Sequence, residues 1–121
     1  MLREHVGVRQ HAGESHRRFF WDDYLQLYVW FDEDERIVGF ELSYDLTSDY
    51  RAFRWKPADG VEHYRVDDGE GRAMKKAVPV MRVDRSGIDP DILVEFTARS
   101  ESISPEISLL VKQRLREFLA T

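Results

Sequence analysis

Glu41, Arg54 and His63 are the side chains of this sequence whose types would do chemistry together if the fold gathered them. A guanidinium clamps a small anion, and a carboxylate beside an imidazole passes a proton. In that arrangement His63 is the proton carrier, Glu41 its partner and Arg54 the anion clamp, as a small enzyme or a small-molecule-binding protein would use them. The ordinary reading of the same residues is a solvated sheet face with cross-strand ion pairs, each contributing roughly a few tenths of a kcal/mol.

Other constellations are weaker. His63, Asp67, Asp68 and Glu70 lie close together in "HYRVDDGEG" and hint at a metal. A calcium loop needs acidic groups at alternate positions before its glycine. Counting back from Gly69, the alternate places after Asp68 are Val66 and Tyr64, so the pattern fails and no metal is expected. His5, His11 and His16 have no helical spacing. Asp22-Asp23 read as a turn, and "DEDE" at 32–35 as a solubilising hairpin tip. Ser43 has no base within convincing reach. No nucleophile elbow, P-loop, dinucleotide fingerprint or H-E-x-x-H occurs, and no cofactor is implied.

The elements that must position these residues are mostly strands. Period-two alternation predicts strands at 24–31, 37–46, 50–56, 61–66, 78–83 and 92–98, with a weaker one at 17–21. Turn chemistry separates them: "DEDE", "TSD" (47–49), "PADG" (57–60) and "SGIDPD" (86–91), with the longest irregular connection at 67–76. Pro79 argues for an edge position of strand 78–83, because proline cannot donate to a ladder. The C-terminal "SPEISLLVKQRLREFLAT" predicts a helix with Ser104 as N-cap and Pro105 at its first position. Ile107, Leu110, Val111, Leu115, Phe118 and Leu119 form its apolar stripe, which needs the sheet as a partner. The expected fold is therefore α+β: an antiparallel meander of about six strands with a C-terminal helix packed on one face.

Registers follow from setting apolar residues opposite apolar residues. A tight turn at Glu33-Asp34 puts Leu25 opposite Leu42, Leu27 opposite Phe40 and Val29 opposite Val38, with Tyr28 covering Gly39. A turn at Thr47-Ser48 puts Phe40 opposite Trp55, Leu42 opposite Phe53 and Glu41 opposite Arg54. A four-residue loop at 57–60 puts Phe53 opposite Tyr64 and Arg54 opposite His63. A second face results, with a row Gln26–Glu41–Arg54–His63 flanked by Tyr24, Tyr28 and Trp30. Those rings suggest an interface, because Tyr and Trp combine apolar area with a polar handle.

The chain has 121 residues, a hydrophobic content of 42%, a formal charge of −5 and no cysteine. That size predicts one domain over 1–121, and residues 1–16 read as a solvated, mobile lead-in. The acidic balance counts against a general nucleic-acid binder. The absence of cysteine excludes disulfides and thiol chemistry. No apolar run approaches a membrane span or a secretory leader, so a cytoplasmic protein without a membrane partner is expected.

In the order of its blocks, "RRFFWDDYLQLYVWFDEDERIVGFELSYD", "FRW" and "HYRVDDGE", the chain over roughly residues 17 to 83 resembles a group of small uncharacterised bacterial proteins. The resemblance implies a bacterial origin and a single small domain. It carries no activity, cofactor or residue role. Three functional expectations stand together: a protein-binding or self-associating domain, such as a homodimer, anchored by Tyr24, Tyr28 and Trp30; a ligand site or enzyme on the same face using Glu41, Arg54 and His63; and a monomer whose N-terminal segment seals that face.

Overall fold

The computed structural model describes residues 1–10, 12–13, 15–46, 50–67, 80–83 and 88–120. It is an α+β fold. Strands β1 (Arg3–Glu4), β2 (His16–Trp21), β3 (Leu25–Phe31), β4 (Ile37–Tyr44), β5 (Arg51–Lys56), β6 (Gly60–Asp67) and β7 (Val80–Val83) form one sheet in sequence order. All neighbouring strands are antiparallel. Strand β7 lies at one edge, as expected for 78–83; Pro79 itself lies outside the described residues.

Helices α1 (Ile92–Arg99) and α2 (Pro105–Leu119) cover one face. Phe20, Leu25, Leu27, Val29, Phe40, Leu42 and Phe53 line that face and form one buried cluster with Ile92, Phe96, Ile107, Val111 and Leu115. Helix α2 spans the predicted stretch, with Pro105 at its start, and it buries Ile107, Val111 and Leu115. The Ser104 side chain makes no capping hydrogen bond, although its carbonyl accepts the Ser108 N–H at 3.0 Å.

Residues 92–98 are helix, not the expected strand. Ile92, Val94, Phe96 and Ala98 alternate as a strand would, and β-branched residues favour strands. Burial shows the other period: Ile92 and Phe96, four apart, are buried, and Val94 between them is 68% exposed. A strand would have put all three on one side. Glu95 and Arg99, also four apart, pair at 2.9 Å.

The N-terminal residues are pinned at the sheet edge. Leu2 is buried in the core; its N–H donates to the Arg99 carbonyl at 2.8 Å, and its own carbonyl accepts from Ser102 Oγ at 2.7 Å. The His5 N–H donates to the Phe19 carbonyl at 2.8 Å. Further along, the Gln10 side-chain amide accepts from the Arg17 N–H at 2.9 Å and donates to the Arg17 carbonyl at 2.8 Å. That amide satisfies the edge of β2 as a neighbouring strand would.

Two registers differ from expectation. Leu27 pairs with Leu42, Val29 with Phe40, and Trp30, not Tyr28, lies opposite Gly39. The tight turn at Glu33-Asp34 does not form. Asp32 Oδ1 accepts the N–H groups of Asp34 and Arg36, both at 2.9 Å, and Glu35 takes φ 60°. The longer loop moves the pairing by two residues, which preserves each side chain's face. The β4–β5 register is the expected one, with Glu41 opposite Arg54 and Leu42 opposite Phe53; its turn at 47–49 lies outside the described residues.

The β5–β6 register is shifted by an odd number. Phe53 faces His63, Arg54 faces Glu62 and Trp55 faces Val61. A turn over 57–59, with the Asp59 N–H on the Lys56 carbonyl at 3.1 Å, is followed by Gly60 at φ 73°. This is the three-residue hairpin with a left-handed glycine. A one-residue slip flips every side chain, so His63 lies on the helix-covered face and Glu62 on the other.

Candidate functional site

The face away from both helices divides into two halves. Its aromatic half lies on β2 and β3. Phe19 and Tyr28 lie opposite each other and stack with ring centroids 4.4 Å apart; Tyr28 and Trp30 follow at 6.1 Å. The Arg17 guanidinium sits 5.1 Å from the Tyr28 centroid, and Lys56 Nζ sits 6.0 Å from that of Trp30. Each cation is drawn to the electron-rich ring face. A Cβ on Gly39 would lie 3.0 Å from the Trp55 carbonyl oxygen and 3.2 Å from Lys56 Cγ, so a glycine is what lets the Trp30 and Lys56 side chains settle there.

The charged half lies on β4 to β6. Arg54 donates to Glu41 Oε1 from Nη2 at 2.6 Å and from Nε at 3.0 Å. Its guanidinium also lies 5.5 Å from the Tyr64 ring centroid. Glu62 stands opposite Arg54 on the far side. Gln26 lies opposite Ser43, and Ser43 opposite Ala52. Gln26, Tyr28, Trp30, Glu41, Arg54, Glu62 and Tyr64 are all half-buried, so each keeps surface to give to a partner.

The structure thus brings together Gln26, Tyr28, Trp30, Glu41 and Arg54 of the residues singled out from the sequence. It separates two. Tyr24 precedes β3, because Asp22 Oδ1 accepts the N–H groups of Tyr24 and Leu25, both at 2.8 Å, and turns the chain. The Tyr24 ring lies under Arg99, 5.1 Å from its guanidinium, against the helix side. Burial, with the nearby carboxylates of Asp89, Asp45 and Glu95, holds its phenol above the usual range.

His63 lies across the sheet from Glu41 and Arg54 and is 1% exposed. Its Nε2 is 2.7 Å from the Tyr44 hydroxyl, with the two rings stacked at 5.8 Å. Phe118 of α2 lies 6.2 Å from the imidazole. The His63–Glu41–Arg54 relay therefore does not assemble: the sheet separates the imidazole from the other two. Burial pushes the Tyr44 phenol up to about 12.

Phe19, Arg17 and Glu62 join the face without having been singled out. Phe19 was legible as the alternate residue of the weak strand 17–21. Glu62 was hidden by the odd register of its hairpin. Away from this face, an open cleft of about 490 Å³ lies at the "DEDE" tip, bordered by His16, Phe31, Asp32, Glu33 and Glu106. Among the described residues no group of three His, Asp or Glu side chains is placed to hold a metal. Nor is any helix among them long and apolar enough to cross a membrane. Asp68 and Glu70 lie outside the described residues.

No protein-family model matches the chain, and neither a curated protein nor a solved structure does.

Proposed function

We propose that the chain is a small, non-enzymatic bacterial domain of the cytoplasm that acts by binding protein through the sheet face opposite its helices, and that it associates first with its own copy. One observation carries this reading: Phe19, Tyr28 and Trp30 lie side by side on that face, half-buried, while both helices occupy the other. Rings in such a row offer large rigid area at little entropic cost, which is why interfaces are rich in them. The Glu41–Arg54 pair supplies a polar partner beside the rings and sets register more than affinity.

The test is molar mass by light scattering for wild type and for a Tyr28→Glu, Trp30→Glu double variant, with circular dichroism to confirm folding. A dimeric wild type and a folded, monomeric variant are expected. A wild type that is monomeric up to high micromolar concentration overturns self-association.

A further inference from the structure

Resting on that reading, we infer that the occupant of this face is a second copy of the chain, related by a two-fold axis that runs along β4. The aromatic half of each copy then lies over the charged half of the other. The argument comes from how charge is laid out across the strands. Phe19, Tyr28, Glu41, Arg54 and Glu62 form one row across β2 to β6. Rings occupy the β2–β3 end of that row and charges the β4–β6 end, with Glu41 on the middle strand.

Two identical sheets that stack face to face are related by a two-fold axis lying in the plane of contact. If the axis crosses the strands along this row, every strand lies on its own copy. Arg54 then meets Arg54, Glu62 meets Glu62, and rings meet rings; like charges placed together oppose association. If the axis follows β4, it exchanges β3 with β5 and β2 with β6. Tyr28 then lies over the partner copy's guanidinium at position 54, and Trp30 over its ammonium at 56. Within one chain this face already sets cations on these same rings, at 5.1 Å for Arg17 on Tyr28 and 6.0 Å for Lys56 on Trp30. Gly39, Glu41 and Ser43 of β4 meet their own copies on the axis; Glu41 is the charged one of these, and each Glu41 carries Arg54 at 2.6 Å.

The size of the face sets the strength. Five strands about 4.8 Å apart, each about six residues long, cover roughly 20 by 20 Å, or about 800 Å² for the two copies together. That is the low end of specific interfaces, so dissociation in the micromolar range is expected.

Because the chain has no cysteine, single introduced thiols report the axis directly. Glu41→Cys and Glu62→Cys are each treated with a bis-maleimide that reaches less than half of the Glu62–Glu62 separation. With the axis along β4, position 41 lies beside its copy, whereas position 62 lies four strand spacings, about 19 Å, from its own. Cross-linked dimer from Glu41→Cys and none from Glu62→Cys is the expected result. Ser43→Cys, on the same strand, repeats the test with the Glu41–Arg54 pair intact. Cross-linking at 62, or its absence at both 41 and 43, overturns the axis. Light scattering on the same samples separates the two failures: a dimer with the wrong cross-links keeps the interface and discards the axis, and a monomer discards both.

Discussion

Tyr44 shows how one hydroxyl ties three parts of the fold together. It meets His63 Nε2 at 2.7 Å and accepts the Asp89 N–H at 3.3 Å, while Arg51 lies over its ring at 4.8 Å. Removing the hydroxyl takes away its hydrogen bonds with His63 and the Asp89 N–H, so Tyr44→Phe should destabilise the chain by about 1–2 kcal/mol in urea unfolding. The pH dependence has a definite sign. The phenol is raised from about 10 in the unfolded chain to about 12 in the folded one, so its contribution is fully present below pH 10 and is lost as pH climbs toward 12. Wild-type stability should fall across that window, and the Tyr44→Phe profile should be flatter there. Equal slopes for the two proteins would show that Tyr44 does not titrate as its burial requires.

At the scale of elements, Asp22 joins the β2–β3 turn to helix α1. Its Oδ1 takes two backbone N–H groups at 2.8 Å, and its Oδ2 takes Arg99 Nη1 at 3.1 Å. Burial alone would raise this carboxyl; the two N–H groups and the guanidinium outweigh burial and hold it below its usual range. A depressed carboxyl contributes stability above pH 4 or so and loses it as pH falls further. Asp22→Ala should therefore cost about 2–3 kcal/mol at neutral pH, with the urea midpoint lowered and the slope unchanged. Asp23 touches the same Arg99 at 2.8 Å, but its side chain is 90% exposed, so Asp23→Ala should change stability little. Similar losses for the two would place the energy in the ion pairs and not in the turn.

At the scale of the whole molecule, dimerisation couples to folding. A partner that binds only the folded chain raises apparent stability with concentration. The thermal midpoint of wild type should rise with protein concentration through the micromolar range, and that of the Tyr28→Glu, Trp30→Glu variant should not. A wild-type midpoint independent of concentration would argue against the interface. The formal charge of −5 adds a general repulsion between copies, so added salt should favour the dimer modestly.

The fold class, the C-terminal helix and the β4–β5 register are legible in the order of residues. Each rests on local or doubly supported information: a helical stripe with Pro105 at its start, and a register in which Leu42–Phe53 packing and Glu41–Arg54 pairing agree. That order also placed Gln26, Tyr28 and Trp30 on the open face, because a two-residue shift leaves alternation intact. His63, Tyr24 and residues 92–98 take their places from contacts that local pattern does not carry. The face of His63 turns on whether one loop holds an odd or even count, a single left-handed Gly60 that alternation does not register. Tyr24 leaves its strand because a side-chain carboxylate captures the local N–H groups. Ile92 to Arg99 became a helix because burial against α2 and the sheet rewards a period of four, where local β-branched preference pointed to two.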